Sequence, residues 1–167
     1  MEHERLIAAA TRLQEVCLAH GITLAVAESL TAGLIGATLA EVPGASRYFV
    51  GGVIGYSETV KQMLLRVPQT VLAVQGVVSQ ECVEAMAHGA QAACGSRAAV
   101  AVSGEAGPNA STGASVGTVW IACCVDDHMT SRCEHLEGDR ERIRRGTVAV
   151  AITLLTETIL SHLSGTL

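Results

Sequence analysis

Apolar side chains recur at three- and four-residue steps over residues 4–19, with Leu6, Ile7, Ala10, Leu13, Val16 and Cys17 on one stripe. That period predicts an amphipathic helix, ended by His20-Gly21 because glycine is the usual residue just past a helix. Residues 22–27 are a short apolar run, read as a buried strand. A helical pattern follows over 31–40 and stops at Val42-Pro43-Gly44, a turn signal. Residues 47–55 read as a second strand, whose glycines at 51, 52 and 55 predict close backbone approach. Helices are expected over 57–65, started by Ser57, over 69–74, and over 80–94, capped by Ser79 and closed by Gly95. Residues 98–103 and 118–125 read as strands, with 129–136 as an antiparallel partner across the turn Asp126-Asp127-His128. A last helix is expected from Gly138-Asp139 to His162. Strands and helices alternate, with one hairpin late. That order predicts an α/β fold, a three-layer α/β/α sandwich with a mixed, mostly parallel sheet, in one domain over 1–167.

Three polar stretches interrupt this pattern where strands end. Glu28, Ser29 and Thr31 follow the first strand, Tyr56 and Lys61 follow the second, and a Gly/Ser/Thr/Asn segment, 104–117, follows the third. If the three strands are parallel neighbours, all three stretches meet at one sheet edge, where open α/β folds bind ligands. A serine hydroxyl needs a base to become a nucleophile, and a desolvated lysine can be that base. The bland alternatives stand beside this reading: Ser29 or Thr31 as a helix N-cap, Tyr56 and Lys61 as a rim aromatic and a solvated charge. Backbone N–H groups of 104–117, together with Arg140 and Arg144 at the start of the last helix, form a candidate phosphate site. Gly33-Leu34-Ile35-Gly36 does not supply G-x-G-x-x-G, and Lys61 follows Val60, so neither the dinucleotide nor the P-loop pattern is met.

Composition narrows the function classes. Hydrophobic residues make up 49% of the 167 and aromatics 2%, so the core must be aliphatic. The net charge of −5 argues against a non-specific nucleic-acid binder, which needs a basic face. Lys61 is the one lysine against ten arginines. The six cysteines include no C-x-x-C pair. Cys123, Cys133 and His135 assemble into a metal site only on paper, with no standard zinc spacing. The acidic start, Met1-Glu2-His3-Glu4-Arg5, does not read as a signal peptide. The most apolar stretch, 148–155, is too short to span a bilayer and is followed by Glu157. A cytoplasmic, reducing setting is expected.

The polar stretches have a family likeness. Glu28-Ser29-Leu30-Thr31-Ala32-Gly33 looks like the E-S-C-T-G-G motif of the CinA C-terminal domain family. Val42-Pro43-Gly44-Ala45-Ser46, Tyr48-Phe49 and Gly51-Gly52-Val53 resemble its next block, and Tyr56-Ser57 with Lys61 its Y-S-N-x-x-K. Gly76-Val77-Val78-Ser79, Ser103-Gly104-Glu105-Ala106-Gly107-Pro108, Val116-Gly117-Thr118-Val119-Trp120-Ile121-Ala122 and Gly138-Asp139-Arg140 with Ile143-Arg144 are similar to later blocks, in the family's order. Active members are nicotinamide-nucleotide amidases, which convert nicotinamide mononucleotide to nicotinate mononucleotide and ammonia without a metal. The resemblance therefore implies Ser29 as nucleophile, Lys61 as base and Tyr56 beside them. It implies substrate binding by Glu28, Thr31, Gly33, Ser103, Gly104, Gly107, Asn109, Thr112, Arg140 and Arg144. It also implies no cofactor, no membrane or nucleic-acid partner, a homo-oligomer, and the stand-alone form of the domain. Leu30 replaces the motif's Cys, Ala32 its first Gly, and Glu105 a hydrophobic residue; loop 109–117 is one residue shorter and lacks the lysine and proline. Two further readings stay open on those departures: a non-catalytic nucleotide-binding paralogue, and an amidase for a substrate without the phosphate.

Overall fold

The computed structural model describes residues 2–165; the ends of the expected domain, Met1, Thr166 and Leu167, lie outside the described residues. The chain forms α1 (Glu2–His20), β1 (Leu24–Glu28), α2 (Leu34–Ala40), a single 3-10 turn at Ala45–Arg47, β2 (Phe49–Ile54), α3 (Glu58–Met63), α4 (Gln69–Val74), α5 (Gln80–Cys94), β3 (Ala98–Gly104), β4 (Thr118–Val125), β5 (His128–His135) and α6 (Arg140–Ser164). The sheet order is β2-β1-β3-β4-β5. β1 pairs in parallel with β2 and β3, whereas β3–β4 and β4–β5 are antiparallel. Among the described strands, four therefore run one way and β4 runs against them.

Side-chain size sorts the two faces. Ala25, Ala27, Ala99, Ala101 and Ala122 point to one side, where α5 packs through Val83, Met86 and Ala87. Leu24, Val26, Val100, Val102, Ile121 and Cys123 point to the other, beneath α1 and α6. Adjacent Cys123 and Cys124 fall on opposite faces, as alternation along a strand requires. A Cβ at Gly52 would lie 2.4 Å from the Val26 carbonyl oxygen, so the close approach expected of β2 is real at that position.

Three boundaries differ from the sequence expectation. The second helix begins at Leu34, not Thr31, because residues 29–33 form a separate turn in which Ala32 has φ 49° and Gly33 φ 98°. The strand expected over 47–55 loses its first two residues to the 3-10 turn and to Tyr48. The apolar stretch 148–155 belongs to a 25-residue helix that is, by length and composition, long and apolar enough to cross a membrane. Half of its most apolar window is buried in the fold, in the core shared by α1, α6 and the sheet. Among the described residues no three His, Cys, Asp or Glu side chains gather as a metal site. The register sets Cys123 opposite Thr130, Trp120 opposite Cys133 and Thr118 opposite His135, so the three residues of the paper site do not converge.

Candidate active site

β1 lies between β2 and β3, with Glu28 in register with Ile54 on one side and Val102 on the other. The carboxyl ends of three parallel strands thus bring Ser29, Gly55-Tyr56 and Ser103-Gly104 together. The chain leaves β1 for β2 on one side and returns to β3 on the other, which opens a crevice at that edge. A cavity of about 220 Å³ occupies it, lined among others by Ser29, Tyr56, Lys61, Glu105 and Arg140.

Ser29 sits in a turn tied down on every side. Its N–H donates to the Val102 carbonyl at 3.1 Å, and Ala32 N–H donates to the Ser29 carbonyl at 3.1 Å. The helix cap expected of Ser29 or Thr31 is supplied by Glu28 instead. Its Oε2 accepts the N–H groups of Gly33 and Ile35, both at 3.0 Å, and Oε1 accepts that of Gly36 at 2.8 Å. A carboxylate at a helix N-terminus satisfies unpaired donors and meets the positive end of the dipole. From α6, Arg144 Nε donates to the Leu30 carbonyl at 3.0 Å and Nη2 to the Thr31 carbonyl at 2.8 Å. The Ser29 hydroxyl is left free of capping duty.

Lys61 reaches that hydroxyl from α3, whose start is fixed by the Ser57 side chain accepting Val60 N–H at 3.2 Å. A Cβ at Gly55 would stand 3.5 Å from Lys61 Cγ and 2.8 Å from Leu65 Cδ1, so glycine there gives the lysine stem room. Lys61 is 1% exposed. Its Nζ is 2.9 Å from Ser29 Oγ, 2.6 Å from the Gly55 carbonyl and 3.4 Å from the Tyr56 carbonyl. Burial, the largest influence, pushes its pKa down from 10.5, while Cys82 and Glu58 push it part of the way back. The solvated-charge alternative for Lys61 is thereby removed. Tyr56 is 56% exposed, and its hydroxyl accepts from Arg140 Nη2 at 2.9 Å rather than meeting the Ser29–Lys61 pair.

Of the expected substrate-binding residues, Ser103, Gly104, Gly107, Asn109, Thr112 and Arg140 line the cavity. Ser103 Oγ donates to the Val77 carbonyl at 2.7 Å, which seats residues 77–78 in the wall. Arg140 Nη1 donates to the Gly107 carbonyl at 2.8 Å, joining α6 to the loop. Glu28, Thr31, Gly33 and Arg144 do not line it; they build the Ser29 turn or hold it. Val77 and Val78 do line it and were missed as site residues, although the Gly76-Val77-Val78-Ser79 block was the signal for them. All six cysteines are free. Burial raises Cys82 to about 11 and Cys17 to about 12, which keeps those thiols protonated and poor as nucleophiles.

Known proteins share this arrangement of chain. A protein of Pseudomonas putida named nicotinamide-nucleotide amidohydrolase PncC is 45% identical over 144 residues, which is 86% of this chain and 90% of that one. A CinA-like protein of Geobacter metallireducens is 44% identical over 85% of this chain. The match spans about a third of that longer relative, 35% of its length. Among solved structures, the competence/damage inducible protein CihA from Agrobacterium tumefaciens superposes with a TM-score of 0.88 at 30% identity, covering 92% of this chain and 95% of that one. The competence damage-inducible protein A from Klebsiella pneumoniae gives 0.89 at 31% identity, with 91% and 95% covered. The family model of the CinA C-terminal domain matches residues 7–159, and the chain belongs to that family.

Proposed function

We propose that this protein is an amidase that hydrolyses the carboxamide of nicotinamide mononucleotide to nicotinate mononucleotide and ammonia, acting as one domain with Ser29 as nucleophile and Lys61 as base. The observation that carries the reading is the 2.9 Å contact between Lys61 Nζ and Ser29 Oγ in a buried setting. A neutral lysine has two N–H bonds and one lone pair. The carbonyls of Gly55 and Tyr56 take the two N–H bonds, which leaves the lone pair for the serine proton. Ser29 Oγ then adds to the carboxamide carbon as its proton passes to Lys61. The resulting ammonium returns that proton to the leaving nitrogen, ammonia departs, and an ester to Ser29 remains. Water attacks the ester, Lys61 takes its proton and hands it back to Ser29, and the carboxylic acid leaves. The Leu30 N–H, next to the nucleophile, makes no hydrogen bond among the described residues and is available to the carbonyl oxygen as charge develops there.

The name of the Pseudomonas putida relative supports the substrate, and the lining of loop residues and Arg140 supports a ligand larger than the amide alone. Tyr56 belongs to the machinery through its carbonyl on Lys61 and its hydroxyl on Arg140. The reading extends to a homo-oligomer, favoured by the exposed Val50 and Ile54 on edge strand β2, and to a reducing, cytoplasmic setting, favoured by six free cysteines. The decisive experiment is ammonia release from nicotinamide mononucleotide by the wild type and by Ser29→Ala, at matched folding. Release that falls at least about 10³-fold in the variant is the expected result. Undiminished release overturns the assignment of Ser29. No release from either protein, with nucleotide still raising Tm, assigns a binding paralogue.

A further inference from the structure

Glu105 lines the cavity yet takes no part in the amide chemistry. It is 6% exposed. Its Oε2 accepts the N–H groups of Ser111 at 2.9 Å and Thr112 at 3.0 Å and the Thr112 hydroxyl at 2.9 Å. The Ser111 hydroxyl lies 3.3 Å from Oε1 and 3.2 Å from Oε2. Two successive backbone N–H groups converging on one oxygen, just before Gly113 at φ 87°, make the concavity that holds anions in phosphate sites. Here a carboxylate of the same chain fills it. Burial is the largest single influence on Glu105 and pushes its pKa up, but the bonds from Ser111 and Thr112 together outweigh it and hold the group below 4.5. The loop therefore carries a fixed negative charge at neutral pH.

We propose that Glu105 sets the specificity of this cavity: lodged in the loop's anion nest, its carboxylate withholds those donors from a substrate's phosphate and favours a cationic N-ribosyl pyridine carboxamide over its phosphate ester. This rests on the amidase reading of the same cavity; the mononucleotide remains a substrate, and the riboside is the better-held one. The pyridinium ring is a cation, so a carboxylate in a partly desolvated wall attracts it. A phosphate brings like charge to the same wall, and like-charge juxtaposition is how recognition surfaces reject a partner. Lys61 is buried beneath the nucleophile, and Arg140, which stays charged, already gives one N–H of each terminal nitrogen to the Gly107 carbonyl and the Tyr56 hydroxyl, so the nest's N–H groups are the donors that Glu105 takes from a phosphate.

The test is calorimetric binding of nicotinamide riboside and of nicotinamide mononucleotide to Ser29→Ala protein, in which the ligands stay intact, and to the same protein with Glu105→Gln added. The single variant is expected to bind the riboside at least as tightly as the mononucleotide. Glu105→Gln, equal in shape but uncharged, is expected to move the affinity ratio toward the mononucleotide by about tenfold or more. A mononucleotide bound more tightly than the riboside by the single variant overturns the proposal, as does an unmoved ratio in the double variant or no binding of either ligand. Ammonia release by the wild type separates this outcome from the fate of the amidase reading. A moved ratio without release removes the amidase and keeps the role of Glu105; release with an unmoved ratio does the reverse.

Discussion

The Ser29 turn and the 104–117 loop stand at the same edge of the sheet and are held in opposite ways. The turn is buried from Glu28 to Thr31, and its restraints come from three other elements: Val102 on β3, Gly55 after β2, whose N–H donates to the Glu28 carbonyl at 2.8 Å, and Arg144 on α6. The loop is exposed over 108–113, and its main side-chain anchor, Glu105, is its own second residue. Many restraints from outside fix an atom to a fraction of an ångström, which chemistry needs. Anchoring mainly from within, with the Arg140 bond to the Gly107 carbonyl as the side-chain link to α6, lets a loop change its length and ligand without moving the nucleophile. The shortened 109–117 segment beside an intact Ser29–Lys61 pair is the result expected of such a division.

The sharpest way to break that comparison is Lys61→Met. If the turn is the seat of the chemistry, ammonia release drops by about 10³-fold or more, while ligand binding at the loop persists. Stability moves the other way with pH. Unfolded, Lys61 titrates near 10.5, and in the fold burial lowers that value. Between the two, the unfolded chain binds the extra proton, so wild-type stability rises with pH across that window and levels off above 10.5; below the lowered value the burial penalty is fully present. The stability of the wild type minus that of Lys61→Met is therefore expected to grow as pH is raised toward 10.5. Comparing the pair cancels the opposite drift from cysteines that Lys61 does not influence and whose values burial raises, such as Cys17 to about 12 and Cys124 to about 11. A difference flat in pH, measured by urea unfolding, would show that Lys61 is not desolvated.

A smaller effect is expected at Arg144→Ala. Arg144 does not itself line the cavity; it grips the carbonyls of Leu30 and Thr31, which follow Ser29. Its loss should lower kcat by about 10²-fold, since a displacement near 1 Å costs that much, and leave KM near the wild-type value. A raised KM with unchanged kcat would put Arg144 among the substrate contacts after all. Arg144→Lys should not rescue, because an ammonium cannot reproduce the two-pronged grip.

The pattern of elements was legible because it rests on periodicity and on local caps: Ser57, Ser79 and Asp139 each accept the N–H three residues on, as their positions implied. The convergence of Ser29, Tyr56 and Lys61 was legible as a condition, that three strands be parallel neighbours, which the register meets. What local sequence could not carry was the partner at a distance. Arg144 finds Leu30 and Thr31 across 114 and 113 residues, so it read as a phosphate ligand beside Arg140 rather than as a clamp on the Ser29 turn. Glu105 read as a departure from the motif's hydrophobic residue, because nothing in the sequence shows that its oxygens turn back to residues 111 and 112. Glu28 was overlooked as a cap because the helix was started three residues early, and the reason for that is the backbone of Ala32.

Ala32 has φ 49°, a left-handed conformation that costs a non-glycine residue roughly 1–2 kcal/mol. The chain tolerates it because the N–H of Ala32 and those of Gly33, Ile35 and Gly36 all have acceptors in Ser29 or Glu28. The turn thus stores strain that its outside restraints hold in place, whereas the positive-φ positions of the loop, Gly107, Gly113 and Gly117, are all glycine and store none. Ala32→Gly should remove the clash and give back part of the gain as unfolded-chain entropy, about 0.4–1 kcal/mol. The net expectation is a small stabilisation, of order 0.5–1 kcal/mol, with kcat held or slightly reduced as the turn gains freedom. Thermal unfolding and steady-state ammonia release on the same preparation read both. A destabilised variant would mean that the Ala32 methyl packs usefully and that the turn is unstrained. The contrast between an over-determined nucleophile turn and a relaxed recognition loop would then rest on the hydrogen bonds alone.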